Sequence, residues 1–126
     1  MFDNFDTIRM ARNMGAHAMM RQSLVAQNVA NADTPGYQAR DLGKFTDTAG
    51  SGFDLAMRAT DARHFSGGAM AAAPILTETG GRSPNGNTVS LEDEMMRAAD
   101  ISREHNLSLT VYKSALGLLR AGLGRR

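Results

Sequence analysis

The side chains that could carry out chemistry are few and widely separated in this chain. His17, His64 and His105 are its only histidines, and no two of them have the helical spacing that presents a pair of metal ligands. Cysteine is absent, which excludes disulfides, thiolate metal sites and cysteine nucleophiles. We therefore expect no metal and no cofactor. His105 is predicted to pack on a helical seam and His17 to lie on a helix surface.

Two further segments invite a catalytic interpretation, and neither supports it. Glu92, Asp93 and Glu94 are adjacent acids, but they stand where a helix should begin, and the helix dipole explains negative charge there. The glycine-rich stretch "TETGGRSPNGN" lacks the Gly-Lys-Ser/Thr ending of a phosphate-binding loop and is predicted to be a flexible loop. The sequence gives no positive case for an enzyme, and we predict that it is not one.

Composition points to one small, helix-rich domain. The chain has 126 residues, and its apolar content is mostly Ala, Met and Leu, which favour helix. The formal net charge of +1 gives no electrostatic case for binding nucleic acid, and no small-molecule substrate is indicated. No apolar run approaches the roughly 20 residues that span a bilayer. The first residues, "MFDNFDTIRM", do not resemble a cleavable secretory signal.

A first helix is predicted from near Asp6 or Thr7, either of which can cap it, to about Ala30. Apolar and small residues recur along it in alternating steps of three and four, which is a weak heptad seam. The members of this seam are Ile8, Ala11, Gly15, Ala18, Gln22, Val25, Val29 and Ala32. Because most of them are small, they would allow another helix to approach closely.

The C-terminal segment predicts a longer and more strongly patterned helix. Asn87, Thr88 or Ser90 can cap it, and its apolar spacing then runs for more than four heptads. The seam consists of Leu91, Met95, Ala98, Ser102, His105, Leu109, Tyr112, Leu116, Leu119 and Leu123. A helix this long must bury its stripe against another helix. We expect an assembly interface, within or between subunits, in which the first-helix residues Ile8, Val25 and Val29 meet Leu109, Tyr112, Leu116 and Leu119.

The predicted fold class is all-α, with two long terminal helices that pack as a coiled coil around an irregular, extended middle. The division is an N-terminal axial helix over 1–33, an irregular region over 34–88 and a C-terminal axial helix over 89–126. One short helix is expected near 53–60, where apolar residues cluster. The remaining middle is rich in Gly, Ser, Ala and Pro, so its order is doubtful in isolation.

The exit from the first helix carries the most distinctive string, "SLVAQNVANADTPGYQARDL". Pro35 cannot extend a helix, and Gly36 permits a turn. Asn31 can take a left-handed or capping conformation, and Tyr37 offers a flat apolar face that could lodge against a neighbour. A plain helix stop does not explain why Asn28, Asn31, Thr34 and Tyr37 accompany the Pro-Gly pair.

This string closely resembles the N-terminal motif of bacterial flagellar axial proteins, the rod, hook and hook-cap class. Asn28, Asn31, Thr34, Pro35, Gly36 and Tyr37 match the residues of that motif. The following "QARDL", the segment "MRATDARHF" and the C-terminal "GNTVSLEDEMMRAADISREHNLSLTVYKSALGLLRAGL" narrow the resemblance to proximal rod proteins of the FlgB type. One departure is Phe65, where that type usually has Leu.

The resemblance implies a structural subunit of the proximal rod. Such subunits assemble with copies of themselves and with other axial proteins into a helical tube that transmits torque and passes exported subunits. Implied partners are other rod proteins such as FlgC, the FliE adaptor and the membrane ring. The implied location is the basal body in the periplasmic space, reached through the flagellar type III apparatus without a cleaved signal peptide. The alternative is a two-helix adaptor or export-chaperone-like binding module.

Overall fold

The computed structural model describes residues 2–45, 74–79 and 83–124, with side chains from residue 6 onward. In chain order the elements are helix α1 (Phe2–Ala30), strands β1 (Arg40–Leu42) and β2 (Ile75–Thr77), and helix α2 (Leu91–Gly122). The two long helices pack against each other, which confirms the predicted fold class. The short helix expected near 53–60 lies outside the described residues.

The helices run antiparallel, because residues later in α1 contact residues earlier in α2. Gly15 faces Ser108, whereas Val25 packs with Ile101 one to two turns nearer the start of α2. Ala18 completes the small apolar core between them. A methyl group on Gly15 would lie 3.1 Å from the Ser108 hydroxyl oxygen. The small residues predicted to allow close helix approach therefore do so.

Helix ends follow capping chemistry, with one departure from expectation. The Ser90 side chain accepts a hydrogen bond from the Asp93 backbone N–H, so Ser90 is the N-cap of α2. Glu92 and Asp93 then lie in its first turn, as the dipole favours. The start predicted for α1 near Asp6 or Thr7 is wrong, because the helix already begins at Phe2.

The chain leaving α1 folds back along that helix and is more ordered than the sequence predicts. β1 pairs antiparallel with β2, with Asp41 opposite Leu76. Leu42 is buried there, against Leu24 of α1 and Phe45. Three-residue strands carry almost no periodic signal, which is why this small sheet was not anticipated. It forms a side layer on α1.

The intrachain contact uses only part of the predicted seams. On α1, the positions Ala11, Ala18 and Val25 are buried as expected. On α2, the residues that are buried are Glu94, Ile101, Ser108 and Ala115, none of which belongs to the predicted seam. At 3.5 residues per turn, the predicted stripe is centred about 75° around α2 from this contact. The strongest apolar periodicity in the chain therefore borders the intrachain contact instead of forming it.

Candidate functional site: a polar clasp and an open helical face

Asn28 begins a polar clasp, a set of hydrogen bonds that ties residues 28–40 to residues 83–90. Its side chain is fully buried in the last turns of α1. Its amide nitrogen donates to the Arg40 carbonyl at 2.8 Å, and its oxygen accepts from the Arg40 N–H at 3.0 Å. The Tyr37 hydroxyl donates to the same oxygen at 3.2 Å. Asn28 thus copies the pairing of a neighbouring strand and fixes the start of β1 on α1.

Asn31 and Thr34 shape the helix exit between these points. The Asn31 side-chain amide donates to the Gln27 carbonyl at 2.8 Å, which caps the end of α1. The Thr34 hydroxyl donates to the Asn31 side-chain oxygen at 3.2 Å. Among the described residues only glycines have positive φ, so Asn31 takes the predicted capping role and not the left-handed conformation. Tyr37, expected to lodge against a neighbour, is half-buried and directed at Asn28 within the chain.

Asn87 closes the clasp from the segment that precedes α2. Its amide nitrogen reaches the carbonyl oxygens of Asn31, Ala32 and Thr34 at 2.9, 2.7 and 2.9 Å. Its oxygen accepts from the Val89 N–H at 2.7 Å. A single buried side chain therefore joins three carbonyls of the helix exit, of which those of Asn31 and Thr34 also accept backbone N–H groups. Asparagine suits this position because one group both donates and accepts.

Backbone contacts complete the clasp. The Gly36 N–H donates to the Asn85 carbonyl at 3.0 Å, and the Thr88 N–H donates to the Tyr37 carbonyl at 3.0 Å. The buried Thr88 hydroxyl accepts from the Ala39 N–H at 2.8 Å. Gly36 and Gly86 both have φ above +70°, and a Cβ on Gly86 would lie 3.5 Å from the Gly36 Cα. Glycine at both positions lets the two segments cross closely.

Arg21, two turns before Asn28 on α1, contacts both β1 and α2. Its guanidinium, buried in α1, forms a bidentate pair with the Asp41 carboxylate of β1 at 2.9 and 3.1 Å. A third nitrogen contact reaches Glu104 of α2 at 3.3 Å. Two parallel hydrogen bonds give this pair directional strength that a lysine could not supply. The arginine therefore fixes β1 and α2 on the same side of α1.

Glu94 is a buried carboxylate on the face of α2 that meets α1. Its Oε1 atom accepts from Arg97 at 2.9 Å, and Arg97 also pairs with Glu78, just after β2. Burial raises the pKa of Glu94, while Asn28 and Arg97 oppose that shift. Glu94 therefore links the clasp to the small sheet through Arg97, which also binds Glu78.

The predicted position of His17 is wrong. Expected on a helix surface, it is fully buried in α1, where Nε2 lies 2.9 Å from the Gly43 carbonyl and the ring meets Phe45 edge-on. Desolvation lowers its pKa, against the effect of the Gly43 hydrogen bond and with that of nearby Arg21. The loop after β1 covers this part of α1, which the helix periodicity alone could not reveal. His17 is a neutral packing residue.

The opposite side of the helix pair is open. A groove of about 330 Å³ lies between the helices, and its lining includes Met19 and Gln22 of α1, Ser102 and His105 of α2, and the core residues Ala18 and Ile101. His105 is half-buried there, on the predicted seam. Large apolar side chains flank the groove without cover, including Met19 at 67%, Met95 at 72% and Leu109 at 41% exposure. We call this surface the open face.

The structure separates the residues predicted to form an interface. Val25 is buried within the chain against Ile101, so it does not meet Leu109, Tyr112, Leu116 or Leu119 of its own α2. The antiparallel register is the reason, since Val25 lies opposite the first half of α2. Ile8, Tyr112, Leu116 and Leu119 are half-buried, and Val29 and Leu109 are exposed. The intrachain form of the expected pairing is wrong for Val25, whereas for Ile8, which this register places level with Ala115, and for the intersubunit form it stays a prediction.

Several residues of the clasp were missed or misassigned. Asn87 and Thr88 were considered only as caps of α2, whereas both bind the exit of α1. Arg21 and Glu94 are buried polar groups, which hydrophobic periodicity cannot identify. For Arg21, a polar type at helical spacing from Asn28 on the same helix was the available signal. Within the described ranges no group of His, Asp and Glu side chains is placed to hold a metal ion, and no helix qualifies as a membrane span.

Comparison with known proteins matches the helix exit and most of the chain. The family model of the flagella basal body rod protein matches residues 15–38, from the middle of α1 through the helix exit. The flagellar basal body rod protein FlgB of Cereibacter sphaeroides is 32% identical over 117 residues, covering 86% of this chain and 91% of that protein. FlgB of Escherichia coli is 34% identical over 118 residues, covering 81% and 84%.

The chain belongs to the FlgB family of flagellar basal-body rod proteins. This FlgB-family chain is accordingly a structural subunit of the rod, located in the flagellar basal body and serving motility. It assembles with other basal-body rod components. The adaptor or chaperone alternative finds no support, and the relatives are structural proteins, not enzymes.

Proposed function

We propose that this FlgB-family subunit builds the proximal part of the rod, a helical tube that transmits torque and passes exported subunits through its channel. The observation that supports this most directly is the open face. A predominantly apolar stripe continues for more than four heptads on α2, yet the residues of that helix that are buried in the single chain lie on a neighbouring face. Such a stripe has a physical use only when another helix covers it.

The exposed apolar side chains can contribute to assembly. Met19, Met95 and Leu109 are each largely or substantially uncovered in the single chain. Full burial of one such side chain contributes about 1.5–3 kcal/mol. A few of them along one seam would offset much of the entropy lost on association. Contiguous exposed apolar surface of this kind is typical of an interaction site in a protein that does not remain alone.

The residues that we assign to the intersubunit contact follow from this placement. Leu109, Leu116 and Val29 flank the open face and are free to meet the helices of a neighbour. Val25 contributes indirectly, because it is buried in the core that holds the two helices together. Ile8, Tyr112 and Leu119 lie at the edge of the intrachain contact and extend the same surface.

The clasp gives the subunit a defined helix exit within that assembly. It fixes where the chain leaves α1 and where it enters α2, so both helices are presented in one register. Proposed neighbours are copies of the chain itself, FlgC and further proximal rod proteins, and FliE with the membrane ring at the inner end. Support for these partners is membership of the FlgB family. We also propose that the subunit acts in the periplasmic space after type III export without a cleaved signal peptide.

Leu109→Asp tests the open face. The substituted side chain is exposed in the single chain, so the purified variant should keep the helical circular dichroism of the wild type. In cells lacking the native protein, it should fail to restore swimming and should leave basal bodies without a rod. Asn106→Asp, also exposed on α2, is the matched control and should swim normally. Normal swimming and intact rods with Leu109→Asp would remove the open face from the proposed interface.

A further inference from the structure

Asn85 and Gly86, in the glycine-rich stretch before α2, are two neighbouring residues that can react with each other. Asn85 is the only asparagine in the sequence that is followed by glycine. The backbone nitrogen of the following residue can attack an asparagine side chain, and glycine hinders that attack least because it has no side chain. The Asn85 side chain is also exposed, so water can reach its amide.

The clasp requires both residues of this reactive pair. Gly86 has a φ of +79°, and a Cβ there would lie 3.5 Å from the Gly36 Cα, so any other residue would be strained. The Asn85 side-chain oxygen accepts a hydrogen bond from the Asn87 N–H at 3.1 Å. The Asn85 backbone carbonyl accepts from the Gly36 N–H at 3.0 Å. Each residue of the pair therefore has a structural role in the clasp.

Both reacting groups are engaged in hydrogen bonds while the clasp is closed. The Gly86 N–H donates to the Ser83 carbonyl at 2.8 Å, and this bond closes a turn over Pro84 and Asn85. Attack requires the Gly86 nitrogen to give up the proton that this bond holds. It also requires the Asn85 side chain to leave the Asn87 N–H. The reaction therefore depends on local opening, which involves only a minor population of a folded protein.

We propose that Asn85 is a site of spontaneous deamidation whose rate is set by opening of the clasp. The Gly86 nitrogen loses its proton to water and forms a bond to the side-chain carbonyl carbon of Asn85. The bond between that carbon and the amide nitrogen breaks, and the nitrogen takes up a proton and leaves as ammonia. Water then opens the resulting cyclic succinimide to aspartate or isoaspartate. The reaction consumes water, releases ammonia and needs no oxidant or reductant.

Isoaspartate at position 85 would loosen the clasp. It inserts an extra carbon atom into the main chain before Gly86 and turns the carbonyl that receives the Gly36 N–H into a carboxylate. Asn87, which follows directly, contacts three carbonyl oxygens at 2.7–2.9 Å, and a displaced backbone would lose part of that geometry. A chain that stays unfolded therefore acquires a lesion that hinders closure, whereas a folded chain is protected.

Peptide mapping by mass spectrometry of the purified full chain, incubated at neutral pH, measures deamidation at Asn85. The folded wild type should react at least about tenfold more slowly than the same chain unfolded in urea, because only the open minority reacts. Asn87→Ala should accelerate the reaction in the folded chain, up to the rate of the unfolded chain. Asn106, exposed on α2 and followed by Leu107, is the internal control and should stay intact in every sample.

A second measurement separates the change of backbone from the change of charge. Chains that carry isoaspartate, isolated by ion-exchange chromatography, should unfold at lower urea than Asn85→Asp, which adds the same charge to an unaltered main chain. Equal deamidation rates in folded and unfolded wild type would overturn the proposal. So would an unchanged rate in Asn87→Ala, or isoaspartate chains that are as stable as Asn85→Asp.

Discussion

Replacing Asn87 with alanine should destabilise the fold by about 3 kcal/mol, because it removes the side chain that closes the clasp. Two amide protons serve carbonyls of Asn31, Ala32 and Thr34, and the side-chain oxygen accepts from Val89. Counting two full-strength donated bonds and one accepted bond, at about 1 kcal/mol each, gives this figure. A domain of this size has only about 5–15 kcal/mol of stability, so the loss would be large.

Urea unfolding followed by circular dichroism at 222 nm measures the effect on the purified chain. Asn87→Asp should be worse than Asn87→Ala, because it directs a carboxylate at three carbonyl oxygens without changing the volume. Asn85→Ala is the control, since the exposed Asn85 side chain contributes one hydrogen bond, to the Asn87 N–H at 3.1 Å. If Asn87→Ala costs less than about 1 kcal/mol, or if Asn87→Asp matches the wild type, the clasp does not stabilise the helix pair as described.

Two further predictions concern buried polar groups on α1. Arg21→Met should cost about 2 kcal/mol in urea unfolding, because it leaves the partly exposed carboxylates of Asp41 and Glu104 without their shared cation. Arg103→Met, which breaks an exposed pair, should cost under about 0.5 kcal/mol, and equal losses would refute the argument. His17 has a folded-state pKa below its ordinary value of 6.5, so the unfolded chain binds more protons below that pH. Stability should therefore fall as pH drops through about 6.5, and a His17→Gln variant with the same pH slope would exclude this histidine as the cause.

The long helices could be predicted from sequence because their signals are repetitive. Heptad spacing along both termini survives single exceptions such as Gly15, and Ser90 with its acidic neighbours places the start of α2. Heptad periodicity does not identify the helix against which an apolar stripe packs. The α2 stripe through Leu109 was expected to pack within or between subunits, and the structure shows that Ile101 and its heptad equivalents make the intrachain contact. Helix packing within one subunit and helix packing between subunits produce the same kind of heptad spacing in the sequence.

The clasp could not be predicted from the sequence, because its hydrogen bonds depend on how two distant segments meet in the folded chain. Asn28 and Asn87 are separated by 59 positions in the sequence, and nothing in composition indicates that both serve the same helix exit. The Pro-Gly pair predicted a turn, and Gly36 has the positive φ that such a turn uses. What the turn binds depends on the approach of a distant segment. Resemblance to flagellar axial proteins marked the residues as important, and the structure supplies the hydrogen bonds that explain them.

The sequence separations within the clasp imply an order of folding. Asn28 and Arg40 are 12 residues apart, whereas Asn87 and Asn31 are 56 apart. Closing the longer loop costs about 1.4 kcal/mol more chain entropy. We therefore expect the exit of α1 to fold first as a local latch, with the contact to Asn87 forming last. A chain that emerges N-terminus first would carry a finished helix exit while its second helix is still missing, and the pair could close only after nearly the whole chain had been delivered.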